Sequence, residues 1–133
     1  MLTVVLSIIA YLVCYVLNIV LAIVERSIVE HRKRIGNKKQ IEHWLWAIIY
    51  CVAISPAWTI HHSWWLMASL VLCHFHVFGS AYQVVNDNNM FYLSKTSKAI
   101  TERLLIMLGF TSAEKPYLVS LALSVYLLIK SFP

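Results

Sequence analysis

Residues 1–24 read MLTVVLSIIAYLVCYVLNIVLAIV, an uncharged run in which Thr3, Ser7 and Asn18 are the only strongly polar side chains. An α-helix needs about 20 apolar residues to cross the hydrocarbon core of a bilayer, so this run is long enough to span one. A secretory signal would begin with basic residues and end in a small-residue cleavage site. Here nothing basic precedes the run, while Glu25, Arg26 and the Arg32-Lys33-Arg34 cluster follow it. The segment is expected to stay in place as an anchor.

The rest of the chain has the same character. Of 133 residues, 60% are hydrophobic and 13% charged, and the mean hydropathy is +0.71. A soluble domain of this size leaves much of its area in water and needs more polar surface than this composition supplies. Three cysteines are too few, and odd in number, for a disulfide framework. Apolar residues resume over 43–60, 64–85 and 112–130, which predicts three more spans. The few residues between the second and third make that pair an antiparallel hairpin turning at Ile60, His61 and His62. Apolar residues at Ile100, Leu104, Met107 and Leu108 fall on one helical face beside Lys98, Glu102 and Arg103. A short amphipathic helix over 97–109 is therefore expected along the headgroup layer. Thr111 and Glu114 have capping-box spacing for the last span. The expected fold is all-α: one integral membrane four-helix bundle, residues 1–133, with an interfacial helix before the final span.

Charge orients this bundle. Six Lys or Arg lie between Arg26 and Lys39 and four between Lys95 and Lys115, leaving Lys130 as the remaining one of 11. With four alternating spans both basic regions share a side, which the positive-inside rule assigns to the cytoplasm. Both termini and the hairpin turn then face outward, as in a multi-pass protein of the bacterial inner membrane. Trp44 and Trp46 mark one interface, and Trp58, Trp64 and Trp65 mark the other, as amphipathic rings at headgroup depth do. Arg32, Lys33, Arg34, Lys38 and Lys39 suit an anionic leaflet or an acidic partner. This explains the net charge of +5 without nucleic acid, for which no exposed platform of interleaved aromatic and basic residues exists.

His and Cys are the residues through which chemistry could enter. Cys51 and Cys73 stand at similar depth in the hairpin, and His74 lies beside them, so a soft metal or redox group is one alternative. Against it, His74 and His76 point about 200° apart on a regular helix, and no C-x-x-C, H-E-x-x-H or paired acids are present. The expectation is no cofactor, no metal and no enzyme.

The segment from Asn89 to Leu104, with Phe91-Tyr92 and Thr96-Ser97-Lys98, resembles a stretch in small multi-span proteins of unknown function from phages and mobile elements of Bacteroidota. Ser94 stands where those carry glycine, and Thr101 where they carry an acid. The resemblance implies a phage or mobile-element membrane protein and transfers no activity. Physically, Phe91 and Tyr92 can anchor at headgroup depth while Lys95 and Lys98 reach phosphate or a partner.

Three functions follow. The first is a non-enzymatic protein that self-associates as a homo-oligomer, forming a pore or perturbing the membrane, with Ser7, Asn18, Ser55, Ser69, Ser80 and Ser120 on a shared axis. The second is an adaptor recruiting a larger protein through its basic loops. The third is a redox or metal-binding bundle built on Cys51, Cys73, His74 and His76.

Overall fold

The structure is a computed structural model that describes residues 1–36, 43–94 and 100–133. All regular structure among these residues is helical. The elements are α1 (Leu2–Arg34), α2 (His43–Ile54), a 3₁₀ turn (Ser55–Ala57), α3 (Trp58–His61), α4 (Trp64–Val85), α5 (Ile100–Met107) and α6 (Glu114–Lys130). Two of them, α1 and α4, are long and apolar enough to cross a membrane.

At 33 residues α1 is about 50 Å long, and it runs ten residues past the apolar stretch that predicts it. No Gly or Pro interrupts the chain before Gly36. The i,i+4 pair Arg26 Nε to Glu30 Oε1 (2.7 Å) supports the extension. His31, Arg32, Lys33 and Arg34 in the last turn complement the negative end of the helix dipole. Gly36, at φ +70, ends the helix. The stretch expected to be a basic loop from Arg26 is thus helical through Arg34.

The hairpin turn has a definite cause. Pro56 cannot donate to an α-helical ladder, and the chain tightens into the 3₁₀ turn there before continuing as α3. Ser55 Oγ donates to the Val52 carbonyl (2.8 Å) and Thr59 Oγ1 to the Pro56 carbonyl (2.7 Å). His62 then enters the left-handed region, at φ 51, and the Ser63 hydroxyl accepts from the Leu66 N–H (3.3 Å) to cap α4. The 19 residues from His43 to His61 rise about 28 Å when counted as one helix.

Helix α4 is the central element, and α1 and α6 pack on it while touching each other little. Side-chain bonds fix the directions: Asn18 meets His74 and Arg26 meets Asn86, so α1 and α4 run parallel. Ser69 meets Ser124 and Leu72 meets Ser120, so α4 and α6 run antiparallel. Consequently one end of the bundle carries the α3 turn and the start of α1, and the other carries the C-terminal part of α1 and the chain between α4 and α6. These are called the turn end and the basic end below.

Helices α1 and α6 each bury one stripe at heptad-like spacing. In α1 the stripe is Ser7, Tyr11, Cys14, Asn18, Leu21 and Glu25, and in α6 it is Tyr117, Ser120, Ser124 and Leu128. Apart from Leu21 and Leu128 the stripes are small or polar-tipped, and the outward faces hold Val13, Val16, Val52, Val119 and Ile129. Small residues let helix backbones approach closely, as they do in lipid-embedded bundles.

One local expectation fails. The capping box does not form: α6 starts after Ala113, with no side-chain cap. Its first turn is instead set by packing, because Ala113 is fully buried and its N–H donates to the Phe91 carbonyl (2.8 Å). In α5 the predicted apolar face points outward, with Met107 80% and Leu108 72% exposed, while Glu102 and Leu105 are buried. The inward face accepts Glu102 because Gln83 supplies a hydrogen-bond donor there.

Candidate functional site

Serine, histidine, asparagine and tyrosine side chains place a ladder of hydrogen bonds between the helices. Near the turn end, Tyr11 Oη and Ser124 Oγ join α1 to α6 at 2.8 Å, and Ser69 Oγ donates to the Ser124 carbonyl at 2.7 Å. In the middle, Asn18 Nδ2 donates to the Cys14 carbonyl (2.8 Å), which leaves Asn18 Oδ1 to accept from His74 Nδ1–H at 2.6 Å. His74 is stacked between Tyr50 (4.5 Å) and Phe78 (4.9 Å), and Phe78 in turn on Tyr82 (6.2 Å). Tyr50 Oη donates to the Leu70 carbonyl (2.7 Å), pinning α2 to α4. On the opposite side of α4, His76 Nδ1 lies 3.2 Å from Ser120 Oγ, which donates to the Leu72 carbonyl at 3.0 Å.

A second network closes the basic end. Gln83 Nε2 donates to Glu102 Oε1 (2.6 Å), tying α5 under α4, and Asn88 Nδ2 donates to Gln83 Oε1 (3.0 Å). Arg26 Nη1 donates to Asn86 Oδ1, and Asn86 Nδ2 donates to the Tyr82 carbonyl (2.7 Å). Glu25 is buried at the same end. Replacing Glu102 by Ala strips Gln83 of its acceptor, and a buried amide left unpaired costs about 1–3 kcal/mol. Detergent-phase thermal melting should show that loss for Glu102→Ala, whereas Glu102→Gln, which keeps an acceptor oxygen, should retain most of the stability.

The Cys and His side chains weighed as an alternative metal or redox group are not brought together. His74 faces α1 and α2 whereas His76 faces α6, as their helical angle requires. Cys51 is exposed on the outer side of α2, while Cys73 is buried together with Cys14. Among the described residues no group of three or more His, Cys, Asp or Glu is arranged to hold a metal ion. The shared-axis expectation also meets a different arrangement: Ser7, Asn18, Ser69 and Ser120 are buried inside a single copy, where Asn18, Ser69 and Ser120 bridge its helices.

Of the predicted contact residues, Arg32, Lys33 and Arg34 form the last turn of α1, and Lys38, Lys39, Lys95 and Lys98 lie outside the described residues. Phe91 and Tyr92 line an open cavity of about 640 Å³ together with Asn89, Leu93, Ser112 and Glu114. Phe91 also packs on Tyr117 (6.5 Å), and Tyr117 in turn on Phe75 (5.4 Å). Of the tryptophans, Trp64 and Trp65 are exposed at the start of α4, and Trp58 packs on Trp64 (4.5 Å) at the turn. Trp44 belongs to α2. Trp46 sits in the core beside Tyr50, with its Nε1 unpartnered among the described residues.

Residue-type patterning alone overlooks the roles of Glu102 and Gln83 and the inward direction of the serine stripe. The stripe is nonetheless written in the sequence: positions 7, 11, 14, 18 and 25 repeat at alternating intervals of three, four and seven, the register of a helix seam.

No known protein family, no curated protein and no solved structure matches the chain.

Proposed function

We propose that this chain is an integral membrane protein that crosses the bilayer four times and acts by association rather than catalysis. The observation that carries the reading is the distribution of polarity: small polar side chains share the interior with apolar ones, while large apolar side chains cover the outside. Water-soluble proteins bury apolar side chains, pair the few polar ones they bury, and rarely expose large continuous apolar patches. Here Ser7, Asn18, Ser69, His76, Ser120 and Ser124 are inside, and valine, leucine and isoleucine cover the outer faces of α1 and α6. The outward Leu104, Met107 and Leu108 of α5 suit a helix lying in the headgroup region. The concentration of cations at the basic end supports a cytoplasmic position for it, with the turn end and both termini outside, in a bacterial inner membrane.

Within this reading we favour recruitment of a partner at the basic end over a pore shared among copies. Of the polar residues suited to line a common channel, Asn18, Ser69 and Ser120 are already engaged between helices of one copy, whereas His31, Lys33 and Arg34 in the last turn of α1 are exposed. Lipid phosphate and an acidic protein surface both complement that turn. Native mass measurement after mild extraction tests the choice: one copy co-purifying with a larger chain supports recruitment, and a closed ring of four or more copies overturns it in favour of a pore.

Cys51 tests the membrane reading itself. Its side chain is exposed on the outer face of α2, whereas Cys14 and Cys73 are buried. A lipid-facing Cys51 should remain unlabelled by a charged maleimide in intact vesicles over an hour and react after denaturation in dodecyl sulfate. Labelling within minutes in intact vesicles would put that face in water and reject the proposal.

A further inference from the structure

The open cavity at the basic end shares a wall, Phe91, with a second and more apolar one. This second cavity is a cleft of about 400 Å³ between α1 and α6, which pack on α4 and touch each other little. Its sides are Ile19 of α1, Val77 and Val84 of α4, and Leu118 and Leu121 of α6. Beyond Phe91, the cavity of about 640 Å³ is lined instead by Tyr92, Ser112 and Glu114 among others. One face of α6 runs through both, because Glu114, Leu118 and Leu121 follow at i, i+4 and i+7.

Shape decides what the cleft can take. It runs along α4 from His76 to Val85, about 13 Å at 1.5 Å per residue, so its volume leaves a cross-section of about 30 Å². A helix with its side chains is about 10–12 Å across and needs roughly 80 Å² or more. A hydrocarbon chain one carbon wide fits, and a helix of another protein or of a second copy does not. The cavity beyond Phe91 has different chemistry. Among the described residues its one charged side chain is Glu114, exposed in the first turn of α6, and the rings of Phe91 and Tyr92 line the same space. A carboxylate and aromatic rings together favour an ammonium group, and the carboxylate repels an acidic one.

We propose that the two cavities form one amphipathic site for a phospholipid with an ammonium headgroup, one acyl chain lying between α1 and α6 and the ammonium beside Glu114. The helix rises about 10 Å from Glu114 to Leu121, which leaves room for the phosphate and glycerol that join headgroup to chain. The site rests on the membrane reading for its supply of lipid, drawn from the leaflet at the basic end. Binding is therefore measured on the full chain in detergent, and membrane insertion is scored separately by the Cys51 labelling, so that either can fail without the other.

The probes are phosphatidylethanolamine and phosphatidylglycerol carrying the same diazirine-bearing acyl chain, with crosslinks mapped by peptide mass spectrometry. Both lipids carry the phosphate, so only the end of the headgroup separates them. The expected result is saturable labelling around Leu118 and Leu121, roughly fivefold stronger for the ethanolamine lipid, as an exposed charge pair of good geometry supplies. Glu114→Gln should bring the ratio close to one, and Glu114→Lys should invert it, with the labels still in the cleft. Glu114 is exposed, so both variants should fold, and the wild-type comparison decides alone if they do not. Equal labelling by the two lipids in the wild-type chain, a ratio unchanged in Glu114→Gln, or labels spread over the outer faces as by annular lipid, overturns the proposal.

Discussion

Gly79→Ala should destabilise the bundle by about 1–2 kcal/mol, although alanine is the better helix former. A Cβ at this position would lie 2.2 Å from the Tyr117 hydroxyl oxygen and 2.8 Å from its Cζ, distances at which the ring must move. Tyr117 cannot swing freely, because it is buried and held edge-on by Phe75 and flanked by Phe91. Overpacking of this kind costs about 1–3 kcal/mol. The gain in helix propensity on replacing glycine is up to about 1 kcal/mol, so the clash wins. The sign should reverse when the ring is removed: in a Tyr117→Leu background, Gly79→Ala should raise stability by a fraction of 1 kcal/mol. Unfolding by dodecyl sulfate titration measures all four members of this cycle, and a stabilising Gly79→Ala in the wild-type background would contradict the α4–α6 contact described here.

Asn18→Leu is the second substitution with a large expected effect. It removes the acceptor of His74 Nδ1–H in a site where Tyr50 and Phe78 stack on the imidazole and offer no substitute. In a dry protein interior the orphaned donor costs about 1–3 kcal/mol. Between helices in lipid, measured side-chain couplings average nearer 0.6 kcal/mol and reach about 1.7. The destabilisation is therefore expected near 1 kcal/mol, and His74→Phe in the same chain should recover most of it by removing the unpaired group. If the double variant is no better than the sum of the two single ones, Asn18 and His74 are not coupled, and α1 is held on α4 by packing alone.

The all-α class and the two long apolar helices are legible in the uninterrupted hydropathy of residues 1–24 and 64–85. What hydropathy cannot convey is direction around the helix. Ser7, Asn18, Ser69 and Ser120 stand out as polar exceptions, yet whether they face a neighbouring helix or a shared axis depends on which helices pack, and that is a tertiary matter. The heptad-like spacing of Ser7, Tyr11, Cys14 and Asn18 holds the answer for α1. The true end of α1 is obscured for another reason: hydropathy falls at Glu25, but helix formation needs only the absence of breakers and the Arg26–Glu30 pair. Glu102 is harder still. A carboxylate reads as surface from sequence alone, and only the amide of Gln83, 19 residues earlier, makes its burial affordable.

Helix α1 is continuous from Leu2 to Arg34, with no proline or glycine inside it. Its register with α4 is set at Asn18 and again at Arg26, and the two turns beyond Arg26 carry His31, Arg32, Lys33 and Arg34 about 12 Å farther. Such a rod has its long arm clamped inside the bundle and a short cationic arm beyond it. A load on the cationic tip bears first on the Arg26–Asn86 contact and then, along the same continuous helix, on the Asn18–His74 bond.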